Sequence, residues 1–311
     1  MEIQVFDMQK LNKTIIEETS LSVDINPAYI EKDYYVVELL KIIACFQTDS
    51  FNVIFTGGTS LSKGFKIINR FSEDIDFMVL ADSEDSRSVY RNFRNELFKK
   101  IDETDILKVS QDGMIIGNES RFFSFYVDYP KLFDDKSLRQ QVKIEISAKP
   151  IRLSPIKRPI FSWIDEYLSN GNLVTINCLS PLETAANKFS AFLWRADCKD
   201  RKSKDKKKND PTIVRHLYDL FKLQNVIFEN EDEFYSLILK IYDDDKNRGD
   251  KTNSLSLKEF ADMTLLKIKA DSLYEKEFSD FVINMVYKNS DIINYSLVLE
   301  YYSKLVKQIQ G

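Results

Sequence analysis

Apolar positions in the first part of the chain follow helix and strand periods in turn. Asn26-Pro27 supplies an N-cap followed by proline at the first helical position, which predicts the start of a helix. One face of this helix is apolar, at Ile30, Tyr34, Val37, Leu40 and Ala44. The pattern predicts an amphipathic helix. Residues 52–56 (NVIFT) are typical of a short strand, and Gly57-Gly58 predict a turn directly after it.

Helical spacing resumes from Ser60 to Asn69, and residues 75–80 are predicted to form a second strand. Since side chains alternate along a strand, Asp74 and Asp76 share one face and apolar residues take the other. Residues 89–101 are predicted to be helical. Residues 121–129 and 141–147 are predicted to be strands that pair antiparallel, and Glu145 lies on the polar face of the second.

From about residue 178 the pattern becomes helical almost throughout. Ser180-Pro181 opens a helix of capping-box form with Glu183. Its predicted buried stripe is Leu182, Ala186, Phe189 and Leu193, with Lys188 on the opposite flank. Asp210-Pro211 caps another helix, and three or four amphipathic helices follow. We therefore expect an α+β protein with a mixed-sheet domain over residues 1–177 and a helical domain over residues 178–311.

Composition narrows the class of protein further. With 311 residues and 43% hydrophobic residues the chain can fill a sizeable core. It contains no apolar run of transmembrane length and no signal-peptide pattern at its start, so we expect a cytoplasmic protein without a membrane span. Three widely spaced cysteines lack a CxxC pair, which argues against zinc. A single histidine, His216, leaves little material for a Ser-His or Cys-His mechanism.

The net charge of −5 gives no overall signature of nucleic-acid binding. A basic run from Lys199 to Lys208 holds seven basic and two acidic residues. It could follow an RNA backbone. A solvated loop is the simpler interpretation, because no aromatic residues for base stacking lie within the run.

The glycine turn is the first candidate for chemistry. A Gly-Gly pair between a strand and a helix presents backbone N–H groups where no side chain obstructs a polyphosphate. Most glycines after strands are only turns, so this feature alone is ambiguous. A Walker P-loop is excluded, because Phe65 rather than lysine follows Gly64.

The aspartate pair is the stronger signal. Alternate residues of one strand place the carboxylates of Asp74 and Asp76 roughly 6 to 7 Å apart along one face. Such a pair is costly unless a cation neutralises it, and oxygen ligands of this kind suit Mg²⁺ or Mn²⁺. The alternative is a strand end with both acids in solvent, against Arg70 or Lys66.

Glu145 could supply a third carboxylate from a nearby strand. It would complete a divalent-metal site and could accept a proton from an attacking hydroxyl. From the pattern alone, a solvent-facing glutamate on a half-exposed strand is an equal alternative. Three such acids suit in-line attack on an α-phosphorus with pyrophosphate as the leaving group.

The stretch from Gly57 to Asp76 resembles the AbiEii/AbiGii-type nucleotidyltransferase toxins, a branch of the DNA polymerase β-like nucleotidyltransferase superfamily. The Gly-Gly-Thr-Ser turn, residues 57–60, and the Arg-x-Ser-x-Asp-Ile-Asp run, residues 70–76, match the family pattern. So do Glu31 to Tyr34 (EKDY), a lysine after a Ser-Pro opening at Lys188, and an Arg-x-x-x-Asp helix ending at Asp219.

This resemblance implies roles for individual residues. Asp74 and Asp76 would bind Mg²⁺ or Mn²⁺, and Lys188 and Asp219 would join them in the catalytic set. Glu145, the third acid that the strand pattern offers, would complete both the metal site and the catalytic set. The nucleotide-binding residues would be Gly57, Gly58, Thr59, Ser60, Lys63, Arg70 and Lys188. By spacing alone, Lys188 is a helix-surface lysine and Arg215 with Asp219 an i,i+4 ion pair.

The implied activity is Mg²⁺-dependent transfer of a nucleoside monophosphate from an NTP to RNA. The acceptor would be a tRNA 3′ end, in a toxin–antitoxin or phage-defence system with a separate antitoxin protein, and the helical domain would complete the active site. One alternative is the same chemistry on a small molecule or a protein side chain. Another is a catalytically silent module that senses nucleotide or binds an antitoxin.

Overall fold

The computed structural model describes residues 11–46, 51–72, 74–80, 87–136, 138–169, 174–205, 208–246, 255–287 and 291–310. The chain divides into two compact units. Residues 1–65 and 72–179 form the first, here called the sheet unit, and residues 66–71 and 180–311 form the second, here called the helical unit. The α+β prediction, a mixed sheet followed by helices, is confirmed.

The sheet unit is built from helices and strands that alternate irregularly along the chain. Its helices are α1 (Lys13–Val23), α2 (Pro27–Cys45), α3 (Gly57–Lys63), α4 (Arg87–Asp102) and α5 (Trp163–Leu168). Its strands are β1 (Asn52–Thr56), β2 (Asp74–Leu80), β3 (Lys108–Val109), β4 (Ile115–Gly117), β5 (Phe122–Asp128), β6 (Gln141–Ala148), β7 (Ile156–Ile160) and β8 (Val174–Cys178).

One mixed sheet contains all of these strands, in the order β3-β5-β6-β2-β1-β8-β7, with β4 also paired to β5. Strands β1 and β2 are antiparallel, whereas β6 runs parallel to β2 and β8 runs parallel to β1. The predicted antiparallel pairing of the two later strands, now β5 and β6, is confirmed. The two strands that carry the predicted carboxylates, β2 and β6, are direct neighbours.

The main core of the sheet unit lies on one face of this sheet. Ile75, Phe77 and Val79 of β2 are buried there, together with Ile144 of β6 and Phe125 of β5. Helices α2 and α4 contribute further apolar side chains to the same cluster. The alternation that buries these residues directs the polar residues of β2 and β6 to the other face.

Helix α2 begins where predicted, and the Asn26 side chain accepts a hydrogen bond from the Ala28 N–H at 2.9 Å. The prediction that it is amphipathic is wrong, because α2 is buried on nearly every side. Its charged residues Glu31, Lys32 and Asp33 are at most 2% exposed. Charged side chains are rarely buried unless each finds a partner.

Each of these three charges holds a different segment of the sheet unit. Glu31 accepts the backbone N–H groups of residues 132 and 133 at 2.7 and 3.1 Å. Lys32 Nζ donates to the carbonyl oxygen of Arg139 at 2.8 Å. Asp33 accepts the Trp163 N–H at 2.9 Å and forms an ion pair with Lys63. The EKDY motif is therefore a structural connector.

Helix α3 differs from the prediction, which placed a helix over Ser60 to Asn69. It starts at Gly57 and ends at Lys63, and Lys66 then adopts a left-handed φ of 55°. A left-handed residue cannot continue a right-handed helix. Residues 66–71 leave the sheet unit at this point and pack with the helical unit.

Several short elements escaped prediction, including α1, α5, β3, β4, β7 and β8. Strand β7 contains Pro159, which normally argues against a strand. It lies at the end of the sheet order and pairs only with β8 among the described strands. An edge strand tolerates proline because its outward N–H needs no partner in the sheet.

The helical unit is centred on α6 (Pro181–Asp197), which the Ser180 side chain caps. The predicted stripe of Leu182, Ala186, Phe189 and Leu193 is buried, and Phe189 packs against the ring of Tyr302 with centroids 5.6 Å apart. The other helices are α7 (Val214–Lys222), α8 (Gln224–Glu229), α9 (Glu231–Lys246), α10 (Leu257–Ala270), α11 (Leu273–Met285) and α12 (Tyr295–Gln308). Five described helices therefore follow α7, where three or four were predicted, because α8 is a separate short helix.

Residues 66–71 are tied to the helical unit by backbone hydrogen bonds. The Phe71 N–H donates to the carbonyl of Met285 at 2.7 Å, and the Tyr287 N–H donates to the carbonyl of Asn69 at 3.2 Å. The Asn69 side chain also donates to the carboxylate of Asp291 at 2.6 Å. Arg70 is thereby placed within the helical unit.

The basic run is only partly available to a ligand. Lys199 binds the carboxylate of Glu277 at 2.9 Å, and Arg201 binds that of Asp271 at 2.6 Å. Lys206 and Lys207 lie outside the described residues. Among the described helices, none is long and apolar enough to cross a membrane.

Replacing Asp33 by alanine is expected to lower the free energy of unfolding by about 3 kcal/mol, because it leaves Lys63 and the Trp163 N–H without their acceptor. Urea unfolding measures the change. Asp105→Ala is the control, since Asp105 is an exposed acid of the same unit. Equal stabilities for the two variants would contradict a holding role for Asp33.

Candidate active site

The polar face of β2 and β6 carries three carboxylates. Asp74 and Asp76 alternate with the buried Ile75 and Phe77. In the parallel register Asp76 lies beside Glu145, and Asp74 lies beside Lys143. Residues side by side in neighbouring strands point to the same face of a sheet. Glu145 therefore belongs to the same surface as the aspartate pair.

The glycine turn lies directly against this surface. Thr56, the last residue of β1, is opposite Asp76 in the antiparallel register, and Gly57 follows it with a left-handed φ of 77°. A Cβ atom at residue 57 would lie 2.1 Å from Asp76 Oδ2. Only glycine fits this conformation and this spacing. The contact brings the turn and the acidic strand into one site.

The remaining residues of the turn fix its position. Thr59 Oγ1 donates to the backbone carbonyl of Asp74 at 2.5 Å, which joins α3 to the start of β2. Ser60 is fully buried, near the thiol of Cys178. Burial raises the pKa of the Cys178 thiol to about 11, and the nearby Ser60 hydroxyl opposes that rise. The Thr59 and Ser60 side chains therefore face the protein interior in this structure, and Gly58 is buried with them.

Two cations of the sheet unit are paired with these acids. Arg139 Nη1 lies 3.0 Å from Asp74 Oδ1, and Lys143 forms an ion pair with Glu145. Burial opposes the charged form of Lys143, but the hydrogen bond to Glu145 and its charge raise the pKa of the ammonium overall. Sequence reasoning missed both cations. Lys143 shares a strand face with Glu145, a visible signal, whereas Arg139 lies in a polar connection with no pattern.

The donor set suits a divalent cation. Asp74 and Asp76 offer oxygen ligands on one strand face, and Arg139 places a positive group on one of them. Within the described part of the chain, no three His, Cys, Asp or Glu side chains are close enough together to hold a metal ion. The ion pairs to Arg139 and Lys143 direct two of the three carboxylates toward side-chain cations instead. The carboxylate chemistry fits Mg²⁺ or Mn²⁺.

Lys63 lies at the end of α3, and its ammonium pairs with the buried Asp33. The same ammonium lies 4.4 Å from the centroid of the Trp163 ring. Burial raises the pKa of Asp33, while the Lys63 charge lowers it. In this structure Lys63 anchors α3 to α2 and α5. Its predicted contact with nucleotide stays a prediction.

A second charged cluster lies inside the helical unit. The guanidinium of Arg70 makes two hydrogen bonds of 2.7 Å to the carboxylate of Asp219. Lys188 Nζ lies 2.6 Å from the same carboxylate. Asp219 is fully buried, and Arg70 and Lys188 are 3% and 7% exposed. The structure thus joins three residues that are far apart in sequence.

The interpretation of Lys188 as a surface lysine is wrong, and so is the predicted pairing of Arg215 with Asp219. Lys188 is buried, and the carboxylate of Asp219 faces Arg70 and Lys188. Helical spacing shows that two residues of one helix can meet, but it cannot detect a competing partner from another segment. A bidentate arginine within a buried site is the stronger partner.

Two cations share one carboxylate in this cluster, which sets its electrostatics. Burial raises the pKa of Asp219, but the charges of Arg70 and Lys188 outweigh it and hold the value at about 2. Burial lowers the pKa of Lys188, and the Arg70 and Arg215 charges add to that effect although Asp219 opposes it. Asp219 is therefore an ionised carboxylate held between two basic side chains, with limited access to water.

His216 belongs to the surroundings of this cluster. Burial, followed by the charges of Lys188 and Arg215, lowers its pKa well below the usual value. Its Nε2 lies 3.1 Å from Arg195 Nη1, which can only donate, so the ring nitrogen accepts. His216 is therefore a neutral residue that orients Arg195.

Comparison with known proteins defines the class. The family model described as "Nucleotidyl transferase AbiEii toxin, Type IV TA system" matches residues 39–303. This range includes the glycine turn, the aspartate pair, Glu145, Lys188 and Asp219. The protein is a nucleotidyltransferase, and the chain belongs to the AbiEii toxin family. The resemblance inferred from the sequence is confirmed.

Among solved structures, the chain is similar to MenT4, a nucleotidyltransferase toxin from Mycobacterium tuberculosis H37Rv. The two share 14% sequence identity with a TM-score of 0.44, over 97% of this chain and 100% of that one. No curated protein matches the sequence.

Gly57→Ala tests the close contact between the turn and Asp76. The substitution is expected to reduce nucleotide transfer about 100-fold, because the new methyl group must displace a carboxylate that positions the reaction. Steady-state transfer rates measure the effect. Gly117→Ala is the control, since its Cβ would make only an ordinary contact of 3.6 Å with Phe122. Full activity of Gly57→Ala would show that the close contact between residue 57 and Asp76 is not required for transfer.

The buried cluster predicts a pH-dependent stability. Asp219 has a folded-state pKa of about 2 against an ordinary 3.8, so its contribution is complete above pH 4 and declines as the pH falls toward 2. The difference in unfolding free energy between wild type and Asp219→Asn should therefore narrow by about 2 kcal/mol over that range. Denaturant unfolding at neutral and acidic pH measures it. A constant difference would show that Asp219 is not held ionised.

Proposed function

We propose that this nucleotidyltransferase moves a nucleoside monophosphate from an NTP to a hydroxyl of RNA, with Mg²⁺ as cofactor and a tRNA 3′ end as acceptor. One observation carries the chemical part of the proposal. The carboxylates of Asp74, Asp76 and Glu145 share one sheet face, and a backbone position that only glycine can occupy lies against Asp76. Acids on a sheet face beside an open backbone suit a metal–triphosphate substrate.

Asp74 and Asp76 would hold the metal ion. When bound, such an ion neutralises charge on the phosphates and on the pyrophosphate leaving group. Arg139 lies on Asp74, so it is placed to exchange that carboxylate for a phosphate oxygen when the metal binds.

Glu145 would accept the proton of the attacking hydroxyl. Its position beside Asp76 in the register puts a carboxylate on the neighbouring strand of the same face. In the structure the carboxylate of Glu145 forms an ion pair with Lys143, which lies on the same strand face. Gly57 and Gly58 would place backbone N–H groups near the phosphates, while Thr59 holds the turn to β2.

The helical unit would supply phosphate-binding charge through Lys188. Arg70 and Lys188 both contact the carboxylate of Asp219. Asp219 would act as a positioning residue that fixes both cations. The role of Lys188 rests on the family resemblance, supported by the burial of its ammonium among charged partners.

The biological setting follows the family. The family description names a toxin of a type IV toxin–antitoxin system. We propose a separate antitoxin protein as the partner and defence against phage as the setting. The choice of RNA as acceptor rests on the family resemblance alone.

The decisive experiment incubates the purified protein with each α-³²P-labelled NTP, Mg²⁺ and total tRNA. Label is expected in tRNA, and Asp76→Ala is expected to reduce it at least about 100-fold, because a metal ligand is lost. Asp105→Ala removes an exposed carboxylate and should retain the activity of the wild type.

Other outcomes separate the alternatives. Label in the protein itself or in a small molecule would replace the RNA acceptor with a different one while keeping the chemistry. Unchanged transfer by Asp76→Ala would refute the assigned metal site. No transfer to any acceptor by the wild type would favour the silent nucleotide-sensing or antitoxin-binding module.

A further inference from the structure

A cavity of about 520 Å³ lies in the sheet unit, beside the first turns of α4. Three arginines of one helix face line it: Arg87, Arg91 and Arg94. The other lining residues are Ser88, Ser120 and Ile116. Its volume is in the range of small-ligand sites, and five of the six described residues that line it are arginine or serine. None of these residues takes part in the chemistry described above.

Arg94 is the most unusual residue of the cavity. It is 9% exposed, and its Nη1 atom is buried without a hydrogen-bond partner among the described residues. Its guanidinium lies 5.9 Å from the centroid of the Phe123 ring. A buried guanidinium nitrogen without an acceptor is costly, since the group has lost water and gained nothing equivalent. An anion in the cavity would supply the acceptor.

The two neighbouring arginines increase the free-energy cost of burying the Arg94 guanidinium. Arg87, Arg91 and Arg94 follow one another at helical spacing, where like charges repel. Burial lowers the pKa of Arg94, and the charge of Arg91 lowers it further. Among the described residues, neither Arg87 nor Arg91 forms an ion pair with an acid. Arginine pairs and clusters of this kind are well suited to the oxygens of a phosphate group.

The backbone beside the cavity is also strained. Asn118, Glu119 and Ser120 have left-handed φ values of 47°, 52° and 71°. Each such conformation costs about 1 to 2 kcal/mol for a residue with a side chain. This turn leads into β5 and places Ser120 in the cavity lining. A serine hydroxyl next to guanidinium groups can donate to the same anion.

The cavity is separate from the carboxylate site. Arg94 packs over Phe123, and Phe123 faces away from its neighbour Ser124, which lies beside Glu145 in the register. The cavity is therefore on the opposite face of the sheet. Strand β5, which carries Phe123, is also two strand spacings from β2, or about 10 Å. A nucleotide bound at Asp74 and Asp76 lies on the other side of the sheet from Arg94.

A polymer can reach both faces, because the cavity is close to an edge of the sheet. Ile116 of β4 lines it, and β4 pairs only with β5 among the described strands. A nucleic acid passing around this edge presents a phosphate at every nucleotide. An acidic peptide would need apolar anchors as well, and within the described part of the chain Ile116 is the one apolar residue that lines the cavity.

We propose that the cavity lined by Arg87, Arg91, Arg94 and Ser120 is a phosphate-binding site for the backbone of the acceptor RNA. This inference rests on the proposed function for the identity of the polymer. The site holds the RNA at a distance from the reacting hydroxyl and does not take part in the chemistry. Arg87, Arg91 and Arg94 are positioning residues.

The test compares the double variant Arg87→Ala/Arg91→Ala with Lys99→Ala. Arg87, Arg91 and Lys99 are all exposed on α4, so the variants are expected to keep the fold, and Lys99 does not line the cavity. Binding of fluorescein-labelled tRNA is followed by anisotropy over a salt series, and thermal melting confirms the fold. Arg94→Gln provides a second variant that acts on the buried group itself.

We expect the double variant to bind tRNA at least roughly tenfold more weakly at low salt. The slope of log K against log salt should fall by about 1.4 to 1.8, the value for two lost phosphate contacts. The binding of NTP should be unchanged, and Lys99→Ala should resemble the wild type. The KM for tRNA should rise in the transfer assay while kcat is retained.

Each other result has a separate meaning. Unchanged tRNA binding by the double variant and by Arg94→Gln overturns the cavity assignment and leaves the proposed function standing. Arginine-dependent tRNA binding without any labelling of tRNA supports the cavity and overturns the proposed acceptor. Arginine-dependent binding of ATP or of polyglutamate, with none of tRNA, overturns the assignment to RNA.

Discussion

The burial of charge on α2 is the constraint on which the sheet unit depends. Glu31, Lys32 and Asp33 are consecutive residues without access to water, and each must find a partner in a different segment. Two of these partners continue into the candidate site. Lys32 holds the backbone of Arg139, whose side chain contacts Asp74, and Asp33 holds the last residue of α3. Helix α2 thereby fixes the positions of Arg139 and Lys63, which lie next to the candidate site.

The helical unit also depends on a buried charge that needs partners from other segments. There the buried centre is an acid, Asp219, and the partners are the cations Arg70 and Lys188. One ionised carboxylate thus holds two buried basic side chains that come from different segments of the chain. The sheet unit, by contrast, carries the carboxylates of Asp74, Asp76 and Glu145, of which Asp74 contacts Arg139 and Glu145 contacts Lys143. The proposed metal ligands belong to the sheet unit, and Lys188, the proposed phosphate-binding residue, belongs to the helical unit.

Local pattern was sufficient to predict part of this arrangement. The strand with Asp74 and Asp76 on one face follows from alternation, and the glycine turn follows from the end of β1. The position of Gly57 against Asp76 depends on the pairing of β1 with β2, and the position of Glu145 beside Asp76 depends on the pairing of β2 with β6. A single sequence does not define these pairings.

The wrong predictions for α2 and for Lys188 have the same physical cause. The polar face assigned to α2 and the surface position assigned to Lys188 both assumed that charged residues seek water. A partner distant in sequence removes that preference, and periodicity contains no information about such partners. Strand β7 was missed for a related reason, since proline excludes an interior strand but not an edge strand.

The two ends of the sheet differ from its centre in a way that affects behaviour at high concentration. At one end β7 carries Pro159 together with Lys157 and Arg158, and at the other the edge is divided into β3 and β4, of two and three residues. Proline, basic side chains and interrupted short strands all prevent another chain from adding a strand. Edge-to-edge polymerisation of the folded sheet is therefore disfavoured at both ends.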